Sequence, residues 1–421
     1  MLKRIPRELF AYGAKGVNVL GAFVATMIIA RLSGPGTVGE YAIAIQTAQL
    51  FCVLALGGYD MLFLRQLAGD VRQGNLAGAR GLTRQNFRML LPRILLVTLG
   101  YLGLVLVFEW LHFMNLNMAS MLVGGAYMAL LTVSVFLIII IRATGQGIIG
   151  QVLDGLQSLL LAFCLGGLFL AAAQPSSTQI LCLTVICMAL TVGAMMVFAG
   201  RHYLRWPQPE HPPERPKFQL ALPFLSMSVV MALSAWLPLI LVEALMTSTE
   251  VGQYRVAFQF ALTMNVITIT GSNFVGPGIA GDFRIGRLDL AWRRYRRTTI
   301  ISLILAAPLL VPMLAAPELL IHYTFGPDFM AAAGPLRWLA GGQLVSLAVG
   351  PVGILQSMAG KERFALLFGT MALVMMAGLM FLLVPLFGLA GAAAAYASAI
   401  ALRAVLSFWH ARRSIKAVEE G

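Results

Sequence analysis

Long apolar runs separated by short charged segments set the pattern of this chain. Measured against the roughly 20 residues that a helix needs to cross a bilayer, the runs predict twelve spans. They fall near residues 9–31, 41–62, 90–110, 119–141, 152–173, 179–200, 218–246, 253–275, 298–321, 334–358, 364–386 and 388–408. Two phrases recur along them. VGEYAIAIQ at Val38–Gln46 returns as VGQYRVAFQ at Val251–Gln259, and AGDVRQGNLAGA at Ala68–Ala79 returns as AGDFRIGRLDLA at Ala280–Ala291 with seven of twelve positions identical. The offsets of 213 and 212 residues align the second span with the eighth.

A repeat of six spans, an even number, leaves both halves in the same orientation. The expected fold is therefore an all-α polytopic membrane protein, with about 12 transmembrane helices in two parallel six-helix bundles related by a pseudo-twofold axis. WPQPEHPPERPK (Trp206–Lys217) carries five prolines in twelve residues and reads as an extended linker. It divides the chain into an N-terminal bundle (1–205), a linker (206–217) and a C-terminal bundle (218–421).

Composition removes the soluble alternatives. Hydrophobic residues make up 59%, charged residues only 11%, and the mean hydropathy is +0.84; a water-soluble globule carries about a quarter charged residues. If the N-terminus is cytoplasmic, 26 of the 30 Lys and Arg fall in segments on that side. The positive-inside rule thus accounts for the net charge of +13 without a nucleic-acid partner, and places both termini in the cytoplasm. The basic start (Lys3, Arg4, Arg7) runs into an apolar stretch with no cleavage site, so the first helix is expected to stay as an anchor. Asp282–Arg297, basic with Leu288, Leu290 and Trp292 interleaved, reads as a helix lying on anionic membrane lipids. The four cysteines sit inside apolar runs, and the five histidines are scattered. Neither disulfides nor a metal site nor a cofactor is expected.

Polar residues inside the spans are the candidate chemistry, because in hydrocarbon they must face protein or a wet cavity. At 100° per residue, Gln46, Gln49, Val53, Gly57 and Asp60 share about an 80° arc of the second span. Arg255, Gln259, Thr263, Val266, Thr270 and Asn273 do the same on the eighth, where the repeat pairs Gln259 with Gln46 and Asn273 with Asp60. Lys15, Asn18 and Thr26 add a weaker stripe on the first span; Arg31 points away from it, though at the helix end its long side chain can bend back. Two symmetric stripes point to a shared polar cleft. Interhelical hydrogen bonding and snorkelling of charges to headgroups are the competing explanations. Pro238 and the segment Gly271–Gly278 interrupt the seventh and eighth spans and are candidate hinges. The near-continuous small residues of GLAGAAAAYASA in the last span favour close helix packing.

ARLSGPGTVGEYAIAIQTAQLF, GGYDMLFLRQLA and VPLFGLAGAAAAYASA, in that order along the chain, resemble the O-antigen and polysaccharide flippase family of the multidrug/oligosaccharidyl-lipid/polysaccharide exporter superfamily. The resemblance implies a bacterial inner-membrane protein, not an enzyme. Its cargo would be a polyprenyl-diphosphate-linked oligosaccharide, moved by alternating access for surface polysaccharide assembly, with other assembly proteins as partners. Arg255, Lys15, Arg31, Asn18, Gln46, Gln49, Gln259 and Asn273 would then bind substrate: arginine forks suit phosphate oxygens, and amides suit sugar hydroxyls. Asp60 and Glu243 are the candidates for ion coupling. The alternative is an ion-coupled small-molecule or drug antiporter, of the same superfamily or of the major-facilitator type. The aspartate and arginine of AGDVRQG and AGDFRIG partly match the loop motif of that second type. No nucleophile and base, and no paired carboxylates, stand out in the short outer loops.

Overall fold

The computed structural model describes residues 7–110, 117–209, 218–285, 287–353, 356 and 362–419; for 7–15, 362, 414–419 and parts of 266–288 it describes the backbone alone. Every element among these residues is helical. The stretch Arg7–Leu56 breaks at Gly34 into α1 (7–33) and α2 (35–56). There follow α3 (Tyr59–Arg72), α4 (Leu76–Trp110), α5 (Met118–Ala143), α6 (Gly147–Leu170) and α7 (Ser177–Arg205). The second half brings α8 (Phe218–Leu245), α9 (Ser248–Arg284), α10 (Leu288–Ala315), α11 (Pro317–Thr324), a 3-10 turn (Pro327–Ala332) and α12 (Ala333–Val349). Glu362–Glu419 breaks at Gly388 into α13 (362–387) and α14 (389–419). Setting aside the short α3 and α11, twelve long helices remain among the described residues, the number that the apolar runs predict.

Eight helical stretches are long and apolar enough to cross a membrane, and the first and last of these are the kinked pairs α1–α2 and α13–α14. Their outward faces match that role. Leu96 is 71% exposed and Phe163 81%, with Leu95, Leu99 and Leu106 exposed beside Leu96. Such continuous apolar surface is stable against lipid and not against water. The chain is a multi-span helical membrane protein.

The first break is built from local chemistry. Gly34 has φ 75° and ψ −178°, a conformation that a side chain would strain. Pro35 follows where its missing N–H is no loss, at the first position of a new helix. Thus only one residue, not the expected loop of 32–40, separates the first two long helices. Hydroxyl and amide caps start others: Asn117 accepts from the Ser120 N–H at the head of α5, and Ser176 with Gln179 forms a reciprocal capping box on α7.

Two compact units result, Met1–Trp236 and Leu237–Gly421, with their boundary inside α8. In the first, Tyr101 is fully buried; its ring meets Phe51 edge-on at 5.2 Å and its hydroxyl donates to the Met121 carbonyl at 2.8 Å. In the second, Phe258 meets Tyr396 edge-on at 4.9 Å, so α9 seats on α14. The small residues of α14 do pack closely. A Cβ added to Gly342 of α12 would lie 2.7 Å from the Ala397 Cα.

Two expectations need correction. The second long helix ends at Leu56 and not at 62, because Gly57 and Gly58 both take positive φ (61° and 74°) and α3 starts afresh at Tyr59. Residues 282–297 are not one surface helix either. They divide between the last turn of α9 and the first turns of α10, where Arg294 pairs with Asp282 at 2.6 Å.

Candidate functional site

The polar face of α2 starts at Gln46, which is buried to 6% exposure. Beside it, the Thr47 hydroxyl accepts a hydrogen bond from the Trp236 indole at 2.9 Å, which ties α8 to α2 within the first unit. Gln49, one turn on, is exposed. The predicted arc does not reach Asp60, because a 100° projection holds only while the helix continues, and the Gly57–Gly58 break resets the phase. The break is also a seat. A Cβ on Gly58 would come within 2.4 Å of the Ala221 carbonyl oxygen and 2.6 Å of the Leu225 nitrogen, so the start of α8 lies directly on glycine backbone.

Asp60 stands in the first turn of α3, a helix not among the stretches apolar enough to span. Burial pushes its carboxyl above the ordinary value of 3.8, against the pull of the backbone N–H groups at the helix start. It makes no ion pair among the described residues. Beside it in the chain, Tyr59 carries a cation that the sequence did not single out: Arg93 of α4 lies over its ring, 4.1 Å from the centroid.

On α1, Asn18 faces α6. Its side-chain and backbone oxygens both accept from the Ser158 hydroxyl, and a Cβ on Gly155 would lie 3.1 Å from the Asn18 Cβ. That is the hydrogen-bonded helix packing weighed against a substrate role. Arg31 is exposed in the last turns of α1. The Lys15 and Asn273 side chains lie outside the described residues, as does that of Thr270.

The α9 face keeps its phase, since the helix runs unbroken from Ser248 to Arg284 where the first half breaks at Gly57. Arg255 is half-buried. Gln259 is buried to 6%, matching its repeat partner Gln46, and its Oε1 has no hydrogen-bond partner among the described residues. Thr263 turns back on its own helix and donates to the Gln259 carbonyl at 2.9 Å. Between Glu250 and Asp282, α9 holds no carboxylate. Glu243 is buried at the end of α8, where it accepts from the Ser248 hydroxyl at 2.8 Å across the corner into α9.

One cluster escaped the sequence reading. Glu40 of α2 accepts from the Ser177 hydroxyl and from the Asn117 amide at 3.2 Å, and Ser120 bonds Ser177 and Thr178 at 3.0 Å each. One carboxylate thereby joins the ends of α2, α5 and α7. Its repeat counterpart, Gln253, donates to the Asp328 carbonyl at 3.3 Å and ties α9 to the 3-10 turn. The signal was the polar third letter of VGEY and VGQY, present in both copies.

No protein-family model and no curated protein matches this chain. Solved structures do. An inward-facing multidrug resistance transporter of the MATE family, in the MOP superfamily, superposes with a TM-score of 0.70 at 15% identity over 96% of both chains. The lipid II flippase MurJ in an inward closed conformation gives 0.73 at 13%, over 96% of this chain and 87% of that one. The chain has the fold of these transporters. A third, a MOP superfamily transporter from Pyrococcus furiosus described as having reversed polarity in its binding pocket, gives 0.66 at 15%, over 98% and 95%. At these identities the likeness is one of fold, and the cargo has to be argued from this chain's own residues.

Proposed function

We propose that this protein is a flippase that carries a polyprenyl-diphosphate-linked oligosaccharide across the bacterial inner membrane by alternating access, for surface polysaccharide assembly. The observation that carries the reading is the α9 face: a half-buried Arg255 and a buried Gln259 with an unsatisfied acceptor, on a helix free of carboxylates from 251 to 281. A diphosphate repels carboxylates and pairs with guanidinium, and amide groups match sugar hydroxyls. A lipid II flippase is among the structures that share this fold, so the fold is compatible with a lipid-linked cargo. Gln46 and Gln49, with Lys15, Arg31, Asn18 and Asn273, complete the proposed binding set, in which Asn18 already serves helix packing.

The test is transbilayer movement of a fluorescent polyprenyl-diphosphate glycan in proteoliposomes. Removing one charge-assisted hydrogen bond costs about 1.5–3 kcal/mol, so Arg255→Ala should weaken handling of the glycan about 10- to 150-fold, with Arg255→Lys in between. Movement at the wild-type rate in Arg255→Ala would sink the assignment.

Asp60 favours a second reading, ion-coupled export of small molecules. A half-buried carboxyl with a raised pKa and no ion pair among the described residues can exchange a proton. Under that reading Asp60→Asn abolishes proton-driven dye efflux and leaves glycan movement as it was; the flippase reading predicts no dye efflux from the wild type.

A further inference from the structure

A cavity of the second unit lies at its basic end. It measures ≈ 630 Å³ between α10, α12 and α14. Its walls are Trp292, Tyr295 and Phe408, and two cations, Arg296 and Arg412, stand at its edge. The floor is rigid. Gly350, with φ 84°, closes α12 so near to Thr299 that a Cβ would meet the hydroxyl at 2.1 Å, and the Tyr295 hydroxyl caps the Val349 carbonyl. Trp292 and Tyr295 meet edge-on at 5.5 Å, and Phe408 stacks on Tyr295 at 6.3 Å.

The charges decide the occupant. Arg293 is held by Asp289 and Arg294 by Asp282, whereas among the described residues Arg296 and Arg412 form no ion pair and no carboxylate lines the cavity. The carbonyl end of α12 contributes about half a negative charge, which two whole guanidinium charges exceed. A cation is therefore disfavoured despite the aromatic walls, and an anion is favoured. The apolar surroundings add the second half of the ligand. Ile300 (57% exposed) lines the cavity and Ile304 (65%) continues its face one turn along α10, while Val405 lies exposed along the Arg412 face of α14. Two apolar tracks leave one basic pocket.

We propose that this cavity is a binding site for an anionic diacyl glycerophospholipid, its phosphate held by Arg296 and Arg412 and its two chains along Ile300–Ile304 and Val405. Basic pockets between membrane helices recognise lipid headgroups through this combination of charge and adjoining apolar surface. The site holds a resident lipid and does not depend on what the protein transports.

The experiment uses the full chain in detergent, with retained lipid counted by native mass spectrometry during titration. Phosphatidylglycerol should bind at least tenfold more tightly than phosphatidylcholine, and the Arg296→Gln/Arg412→Gln protein should lose that preference. Ala348→Phe, which narrows the cavity and keeps both charges, should also release the lipid; it decides the matter if the double variant does not fold. Equal retention of the two lipids, or unchanged retention in the substituted proteins, overturns the site. A polyprenyl diphosphate that displaces phosphatidylglycerol at equal concentration overturns the diacyl assignment, and so does displacement by inorganic phosphate alone.

Discussion

Gly58 offers a quantitative test of how α8 is held. Replacing it by alanine adds a side chain where φ is 74°, which costs about 1–2 kcal/mol for an L-residue. The new Cβ would also stand 2.4 Å from the Ala221 oxygen and 2.6 Å from the Leu225 nitrogen, both backbone atoms that cannot rotate away. Forcing extra atoms into such a contact adds about 1–3 kcal/mol. Gly74 is the internal control, since its φ is 76° and nothing lies within 4 Å of its would-be Cβ. Gly74→Ala should therefore carry the conformational term alone. At about 2–4 °C per kcal/mol for a unit of this size, the Gly58 variant should melt about 2–12 °C below the Gly74 variant in the same detergent. Equal melting temperatures would refute the direct seating of α8 on the α2–α3 break.

Gly342→Ala should destabilise the second unit by about 1–3 kcal/mol, because its Cβ would meet the Ala397 Cα at 2.7 Å, whereas Gly334→Ala, with nothing within 4 Å, should not; thermal unfolding of the two separates them. Glu40→Ala should cost about 1–3 kcal/mol by leaving Ser177 and Asn117 without their acceptor. Glu40→Gln, the residue of the second repeat copy, should recover part of the loss in the same melt. Asp60 binds its proton more tightly folded than unfolded, so its contribution to stability is full below the ordinary value of 3.8 and is lost as pH rises through the raised folded value. Melting temperatures taken across that range should fall with rising pH in the wild type and show less of this slope in Asp60→Asn; an equal slope in both would refute the burial account.

The twelve long helices, the duplication and the polar face of α9 were all written locally, as apolar length and 3.6-residue periodicity. The pairing of Gln46 with Gln259 followed from the repeat and survives as equal burial of the two side chains. Asp60 lies on α3 and not on the α2 stripe. The letters of Leu56–Gly57–Gly58 allow a continuing helix as readily as a break, since glycine accepts both signs of φ, and the backbone of α8 against Gly58 is what favours the break.

Sequence by itself determined that this chain lives in a membrane, how many long helices it forms and that its halves are copies, because burial in lipid is enforced residue by residue along each helix. Tertiary structure decided which polar residues are packing and which remain unsatisfied. Asn18 finds Ser158 and Glu40 finds Ser177, partners 140 and 137 residues away, whereas the Gln259 Oε1 finds none among the described residues. It also decided that Arg296 and Arg412 meet at one cavity. Contacts at that separation depend on how helices cross, and the crossing is set by glycines and small residues whose role shows only when another backbone arrives beside them.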